Sequence, residues 1–283
     1  MNKYNLLTYI LPTNNPDEFF NKFGKSLSVF YDIKDYISFC INFQSPWTQD
    51  LIDRALKLFE AVGLFVYHTF NKYEKKEDQF PLMEMRNDAL RLNPKCKYFA
   101  FIDDDIVYSC SKEEYASVII QCIEYMNFYN VGSLTIGQPV YKAHWDPWDD
   151  KIVPMRKDLH TNTALGTIFN NIYGGNILPE EMVDLYGSGE DRLLGEYRLY
   201  ISGYNIAQAR CQIGFHLDIK ATKDKSVYKY NLLKNREKPH NCGRYSDELG
   251  KKYNDVASVC PEYKVDKKLK NLSFRLASLK RFL

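Results

Sequence analysis

The sequence predicts an α/β fold of the Rossmann-like kind, with a mainly parallel sheet flanked by helices. Short apolar segments alternate with amphipathic ones through the first 136 residues, and helix-start and helix-stop signals separate them. The composition, with 45% hydrophobic and 26% charged residues among 283, is that of a globular chain with a substantial core. Since strands that alternate with helices pair mainly in parallel, we expect ligands beyond their carboxyl ends.

Five strands are predicted in the first half of the chain, at residues 5–11, 36–41, 64–68, 98–102 and 131–136. Each is a short apolar run bounded by turn or cap residues. A helix is predicted between each strand and the next, as parallel pairing requires.

The four predicted helices begin at Asn15-Pro16, Thr48, about Pro81 and Ser111. Asn, Thr and Ser are favoured caps, and a Glu three residues after Ser111 completes a capping box. The second helix is expected to end at Gly63. Two helices have apolar faces, formed in the second by Leu51, Ile52, Ala55, Leu58, Phe59 and Val62 and in the fourth by Tyr115, Val118, Ile119, Cys122 and Met126.

Three carboxylates follow the fourth predicted strand directly, as Asp103-Asp104-Asp105. Adjacent carboxylates repel one another, and a hard divalent cation with oxygen ligands relieves that repulsion. Because side chains alternate along a strand, Asp103 and Asp105 are expected to point the same way and to clamp Mn²⁺ or Mg²⁺. A solvated acidic turn after a buried strand remains the alternative.

A second acidic pair stands at the start of a predicted helix, where Glu190 and Asp191 follow the turn Gly187-Ser188-Gly189. Acidic residues in a first helical turn are favoured by the helix dipole, so a plain helix start is one interpretation. A carboxylate at a helix mouth beside a cleft is also suited to act as a general base.

Two glycine-containing segments are rejected as phosphate loops. Gly24-Lys25-Ser26 lacks the earlier glycine, because Phe19 stands there, and it does not follow a strand. The turn at 187–189 has Arg192 where a third glycine is needed. A metal is therefore the better candidate to hold a diphosphate.

Several short motifs stand in an order that resembles GT-A fold nucleotide-sugar glycosyltransferases, especially those of family 2. They are Pro12-Thr13, Met85-Arg86-Asn87-Asp88-Ala89, Phe101-Ile102-Asp103-Asp104-Asp105, Gly189-Glu190-Asp191-Arg192-Leu193-Leu194 and Gly203-Tyr204. The resemblance covers roughly residues 4–216. The sequence departs from the family pattern at residues 42–45, where an acidic turn is usual, and no QxxRW signature follows the other motifs.

The resemblance implies a role for each matching residue. The residues implied for donor binding are Pro12, Thr13, Arg86, Asn87, Asp103 and Asp104. Metal binding is implied for Asp103, Asp105 and His216, with His240 as the second candidate histidine. Asp191, with Glu190, is the implied catalytic base. The expected reaction moves a sugar from a nucleoside-diphosphate sugar, first of all a UDP-sugar, to an acceptor hydroxyl with inversion.

The charge divides unevenly along the chain. Residues 1–219 carry 21 Lys and Arg against 29 Asp and Glu, a net −8, whereas residues 220–283 carry 17 against 7, a net +10. We therefore predict a catalytic domain at 1–219 and a basic extension at 220–283. The extension is suited to an anionic partner such as nucleic acid or a phospholipid surface, and a solvated Lys-rich surface is the alternative.

Acceptor binding is predicted at two places. Trp145 and Trp148 are suited to stack on a sugar or an extruded base, or else to anchor a loop. Arg244 lies in the segment 234–245, which resembles the C-terminal part of phage and kinetoplastid DNA-base glycosyltransferases. The resemblance implies a hydroxymethylated base as acceptor.

The last segment predicts a basic amphipathic helix, with leucines at 269, 272, 276, 279 and 283. Two interpretations are open: the helix packs against the catalytic domain or a second subunit, or it binds peripherally to an anionic membrane. Membrane binding would suit a lipid or cell-surface glycan acceptor. No apolar stretch is long enough to span a membrane, the N-terminus does not resemble a signal peptide, and seven scattered cysteines form no CxxC pair, so a cytoplasmic protein is expected.

Two functions of other classes fit parts of the pattern. A metal-dependent nucleotidyl- or phosphotransferase would also use paired aspartates. A non-catalytic nucleic-acid-binding protein would need only the basic extension.

Overall fold

The computed structural model describes residues 5–74, 82–137, 148–154, 166–173, 175, 202–216 and 259–279, with the backbone alone at 83, 215 and 216. The strands are β1 (Leu7–Thr13), β2 (Ile37–Phe43), β3 (Phe65–Phe70), β4 (Tyr98–Phe101), β5 (Ile106–Tyr108), β6 (Val131–Ile136), β7 (Lys151–Pro154), β8 (Thr167–Asn170), β9 (Asn205–Ala209), β10 (Gly214–His216) and β11 (Tyr263–Lys264). The helices are α1 (Pro16–Asn21), a 3₁₀ helix (Phe23–Ile33), α2 (Gln49–Val62), α3 (Leu82–Arg91), α4 (Lys112–Phe128) and α5 (Leu272–Leu279).

Most of these strands form one mixed sheet, in the order β11-β7-β9-β6-β8-β4-β1-β2-β3. Parallel pairing joins β3, β2, β1 and β4, as well as β6 and β9. The pairings of β8 with β4 and β6, and of β7 with β9 and β11, are antiparallel. The predicted α/β class is confirmed, but the sheet is mixed rather than mainly parallel, because its parallel pairs, among β1–β4 and between β6 and β9, alternate with antiparallel pairs of β8, β7 and β11.

The local helix signals are confirmed. The Thr48 side chain accepts from the Leu51 amide at 3.4 Å, and Gly63 ends α2 with a φ of 77°. Ser111 and Glu114 form a capping box at the start of α4. The predicted inward residues of α4 are all buried, whereas Leu58 of α2 is 37% exposed. Leu58 lies at the edge of the apolar face of α2, where the face meets solvent.

The core on one side of the sheet is rich in aromatic side chains. Its largest fully buried members are Tyr9, Tyr115, Phe19, Phe23, Phe30, Phe39, Phe43 and Phe59. The rings of Tyr9 and Phe39 stack at 5.1 Å, and several neighbours meet edge to face. Such pairs add to the stabilisation from burial, and they hold β1 and β2 rigidly against the 3₁₀ helix.

Residues 259–279 pack onto the rest of the fold. β11 is the edge strand beside β7, and α5 contacts α4 with Leu276 and Leu279 buried. Tyr125 donates to the carbonyl of Pro261 at 2.5 Å. A helix is present over residues 272–279 of the predicted segment, with Arg275 as its one basic residue, and it packs against the domain there. The proposed domain boundary at 219/220 falls outside the described residues.

Basic side chains of this segment pair with acidic groups of the first part. The Lys267 ammonium lies 2.6 Å from Asp150, and Arg275 lies 3.3 Å from Glu124. Part of the charge asymmetry is thus satisfied within the molecule. No helix in the described residues has the length and apolar character that crossing a bilayer requires.

Candidate active site

The predicted functional residues of the first half meet where β1, β2 and β4 end. Ile10 pairs with Phe101 in parallel register, and the amide of Ile102 continues the pairing to the Ile10 carbonyl at 3.2 Å. Three residues beyond this pair, Thr13 and Asp104 lie within hydrogen-bonding distance of each other. The edge is therefore the carboxyl edge at which parallel sheets bind ligands.

The aspartate triplet lies in a turn. β4 ends at Phe101, Asp104 and Asp105 form a turn, and β5 begins at Ile106. The alternation of side chains along the strand therefore ends before Asp103, and the orientation of each carboxylate depends on the groups that it contacts. Asp104 reaches β1 and Asp103 reaches α3.

Asp104 is held by a hydrogen-bonded chain from the loop after β2. The Trp47 indole donates to Thr13 Oγ1 at 3.2 Å, and Thr13 Oγ1 donates to Asp104 Oδ2 at 2.5 Å. Burial raises the pKa of Asp104 to about 7; the Thr13 bond acts against it, and the charges of Asp105 and Asp103 act with it. The triplet is thus strained electrostatically, which a nearby cation would relieve.

Arg86 supplies positive charge beside the triplet. Its side chain is only 4% exposed, its guanidinium lies over the Phe101 ring at 4.1 Å, and Nη2 is 3.6 Å from Asp103 Oδ1. That separation is longer than a direct hydrogen bond. The neighbouring Asn87 is fully buried on the same helix, α3, which packs on β1 and β2. A planar guanidinium in this position is suited to a phosphate oxygen.

The backbone brings His216 to the same turn. β10 pairs antiparallel with β5, so that His216 stands opposite Ile106, the residue directly after Asp105. Gly214 makes this pairing possible, because a Cβ there would lie 2.7 Å from the Val107 carbonyl oxygen. The side chain of His216 lies outside the described part, as does His240.

The donor atoms near the triplet suit a hard divalent ion. Among the side chains that the structure describes, no group of three His, Cys, Asp or Glu forms a metal cage. Mg²⁺ characteristically takes one or two carboxylates together with substrate phosphates and keeps several waters, and such a site needs no complete protein cage. Asp103 and Asp105, with His216 brought close by its strand, fit that kind of site.

Sequence reasoning missed a polar cluster at the end of β2. Gln44 is fully buried, donates to Asn42 Oδ1 and accepts from the Tyr73 amide at 3.1 Å. Asn42 in turn reaches the Met85 carbonyl at 3.5 Å. These amides occupy the place of the acidic turn that the resemblance led us to look for. The available signal was a pair of amide side chains directly after a buried strand.

The loop after β3 is tied to α3 through Asp88, which sequence reasoning also missed. Lys72 and Tyr73 both donate to Asp88 Oδ2, and Arg91 donates to Oδ1 at 3.0 Å. Burial raises the pKa of Asp88, but these hydrogen bonds outweigh it and leave the pKa below its usual value. The loop therefore closes one side of the polar cluster.

Of the other predicted site residues, the described part of the chain places Pro12 at this edge and Trp148 elsewhere. Glu190, Asp191, Trp145 and Arg244 lie outside the described residues. Trp148 is half-buried and packs against the main core, as a loop anchor does. Pro12 lies half-buried at the end of β1 beside Thr13.

The fold matches solved glycosyltransferase structures. Residues 1–349 of S. aureus TarS in complex with UDP match with a TM-score of 0.50 and 13% identity, over 75% of this chain and 60% of that one. A longer S. aureus TarS chain matches with a TM-score of 0.50 and 12% identity, over 74% and 36%. The mannosyltransferase PcManGT from Pyrobaculum calidifontis, in complex with GDP-Man and Mn²⁺, has a TM-score of 0.47 at 13% identity, over 72% and 56%.

These comparisons establish the GT-A fold for this chain. The chain spans less than two thirds of the length of each of these proteins. No protein-family model matches the sequence, and no curated protein matches it.

Proposed function

We propose that this protein is a nucleotide-sugar-dependent glycosyltransferase. The observation that carries the proposal is the meeting of Thr13, Arg86 and the aspartate triplet at the carboxyl edge of a GT-A sheet. A UDP-sugar is the donor we favour, since one neighbour of the same fold binds UDP. The buried polar cluster of Asn42 and Gln44 fixes the Tyr73 loop beside the adjacent strand end.

Asp103, Asp105 and His216 are the residues we propose for a Mn²⁺ or Mg²⁺ ion. When bound, such an ion neutralises the charge that develops on the leaving diphosphate. The side chains of this protein do the rest of the positioning. Arg86 offers its buried guanidinium to a phosphate oxygen, and Thr13 keeps Asp104 turned toward β1, away from the negatively charged donor.

Asp191, assisted by Glu190, is the base we propose for the acceptor hydroxyl. A carboxylate that removes the hydroxyl proton while the oxygen attacks the anomeric carbon gives inversion at that carbon. Asp191→Asn is expected to leave donor and metal binding intact and to abolish transfer. Transfer near the wild-type rate in this variant would remove Asp191 from the mechanism.

We propose a hydroxymethylated base in DNA as the acceptor. This proposal rests on Arg244 and the basic extension, whose residues 220–258 lie outside the described part. A lipid or cell-surface glycan is the alternative, but Leu276 and Leu279 of α5 are buried in the fold, which leaves Phe274 as the large apolar side chain that the described helix exposes. Cytoplasmic location likewise stays a prediction.

The test is incubation of the full chain with a panel of radiolabelled UDP-sugars, with Mn²⁺, Mg²⁺ or a chelator. A glycosyltransferase releases UDP and transfers or slowly hydrolyses the sugar, whereas a nucleotidyltransferase releases pyrophosphate. We expect metal-dependent UDP release that Asp103→Ala abolishes. DNA binding that falls steeply with salt, ignores Mn²⁺ and survives Asp103→Ala, without any UDP release, would instead indicate a nucleic-acid-binding protein.

A further inference from the structure

A second pocket lies between the 3₁₀ helix and the segment that joins β5 to α4. We call it the lysine pocket, and its lining includes Asn21 together with three lysines and three serines, Lys22, Lys25, Lys112, Ser26, Ser28 and Ser111. Its volume of about 370 Å³ is within the range of small-molecule sites. None of the residues assigned above to the donor, the metal or the base lines it. We propose that the lysine pocket binds a phosphate-type oxyanion.

The charge of the lining carries the proposal. Three lysines and three serines line the pocket, and no Asp or Glu is among the lining residues. This is notable in the part of the chain before residue 220, which has a net charge of −8 from 21 basic and 29 acidic residues. Ammonium and hydroxyl groups together are the donors that bind phosphate oxygens.

Two of the lysines are held at the rim by carboxylates that lie outside the lining. Lys22 pairs with Glu18 one helical turn earlier, and Lys112 lies 3.7 Å from Asp32 and 3.9 Å from Glu113. Lys25 is exposed and makes no ion pair within the part of the chain that the structure describes. The carboxylate contacts of Lys22 and Lys112 fix the positions of these two ammonium groups. An anion bound between them would also contact the ammonium group of Lys25.

Backbone packing brings the segment 24–26 to the pocket. A Cβ at Gly24 would lie 3.0 Å from the Phe19 carbonyl oxygen, so the 3₁₀ helix approaches α1 this closely because a glycine stands there. The segment is no phosphate loop by its pattern, yet Lys25 and Ser26 still face a common cavity with α4 residues. The first turn of α4, capped by Ser111, carries Glu113 and Glu114 outside the lining, so the lysines supply the positive charge of the pocket.

Two sources can supply such an oxyanion. One source is a phosphodiester carried by an acceptor. Val107 and Tyr108 of β5 line the pocket, and the three residues from Asp105 to Tyr108 span only about 10 Å, so the pocket lies near the aspartate triplet. A free phosphate is the other. Both present tetrahedral oxygens to the same cations. The proposal does not depend on the nature of the donor or on transfer activity.

The test titrates the full-length protein with inorganic phosphate and, separately, with dimethyl phosphate, at constant ionic strength set by chloride. Backbone amide signals of Ser26, Ser28 and Ser111 report binding. We expect saturable shifts that Lys25→Gln weakens and that Lys25→Gln with Lys112→Gln weakens by about tenfold or more. Lys57→Gln, which removes an exposed lysine of α2 outside the pocket, is the matched control and should bind as wild type.

Each outcome decides a point. Binding of both probes supports a phosphodiester source, and binding of inorganic phosphate alone supports a free or terminal phosphate. Shifts that chloride reproduces, shifts that persist unchanged in the double variant, or equal weakening by Lys57→Gln would each overturn the proposal. Because the readout is binding, these results stand whether or not UDP-sugars prove to be donors. The unfolding midpoint of each variant checks that it is folded.

Discussion

Thr13 Oγ1 donates a 2.5 Å hydrogen bond to Asp104 Oδ2 and thereby joins the end of β1 to the turn after β4. The same hydroxyl accepts from the Trp47 indole, so one threonine connects three strand ends. Its removal leaves a half-buried carboxylate and a buried indole without their shared partner. Asp104 is therefore oriented by its hydrogen bond to β1, and Asp103 and Asp105 are the carboxylates of the triplet that we propose for metal binding.

Thr13→Val tests this arrangement. We expect a loss of about 1–3 kcal/mol in the free energy of unfolding, because buried polar groups lose a partner. We also expect the UDP release rate to fall about tenfold, since Asp104 becomes free to turn toward the donor phosphates. Urea unfolding and the UDP-release assay measure the two effects.

Thr8→Val is the matched control for this variant. Thr8 lies in the same strand, and its hydroxyl is buried between Ser38 and Asn93 at 2.9 Å from each. It stands far from the carboxyl end of β1, so stability should fall and activity of the folded protein should not. Equal loss of activity in both variants would show that Thr13 matters only for stability.

The pH dependence of the metal-free protein follows from Asp104. Its pKa lies at about 7, above the ordinary 3.8, mainly because of burial. The folded protein then binds more protons than the unfolded chain between these values, so the stability that Asp104 contributes is full below pH 3.8 and is lost as the pH rises through 7. Asp104→Asn should flatten this fall.

The titration also tests the cation. A divalent ion beside the triplet favours the charged carboxylate, so saturating Mg²⁺ should lower the Asp104 pKa. The carboxyl ¹³C shift of Asp104 measures the midpoint with and without Mg²⁺. A midpoint that Mg²⁺ does not move would argue against an ion at this turn.

Local signals in the sequence predicted local structure well. Thr48, Gly63 and Ser111 act within one helical turn of themselves, and the structure has each of them at the predicted helix end. The aspartates were likewise predicted to lie at a carboxyl edge, because that edge follows from the α/β class. Such inferences need no knowledge of distant contacts.

What could not be predicted depends on contacts between distant segments. The Thr13–Asp104 bond joins residues 91 apart, and the Tyr73–Gln44 bond spans 29. The insertion of β8 between β4 and β6 makes the sheet mixed, and no signal within its four residues specifies an antiparallel partner. Strand alternation does not apply at the triplet because β4 ends at Phe101 and the chain turns before β5, which pairs with the distant β10.

Gly214→Ala tests the place of His216. The added Cβ would lie 2.7 Å from the Val107 carbonyl oxygen and 3.1 Å from the Tyr108 Cα, and backbone atoms cannot rotate away. β10 must shift, and His216 with it. We expect Mn²⁺ affinity, measured by calorimetry, to fall by about 10- to 100-fold, as for other changes in the support of a metal ligand.

Gly203→Ala is the control for this change. A Cβ at Gly203 meets no atom within 4 Å, and only its φ of 71° is strained. It should lower stability by about 1 kcal/mol and leave Mn²⁺ affinity unaltered. Wild-type affinity in Gly214→Ala would exclude His216 as a ligand.

Arg86→Lys separates the charge of Arg86 from its shape. Lysine keeps the charge, but its ammonium cannot lie flat over Phe101 and present a fork of donors toward the triplet at the same time. We expect UDP affinity in the presence of Mg²⁺ to fall about tenfold by calorimetry. Arg54→Lys is the matched control, since the Arg54 guanidinium lies over the Phe20 ring at 4.7 Å on α2. Equal, small effects of the two substitutions would mean that Arg86 only packs against Phe101 and does not bind the donor.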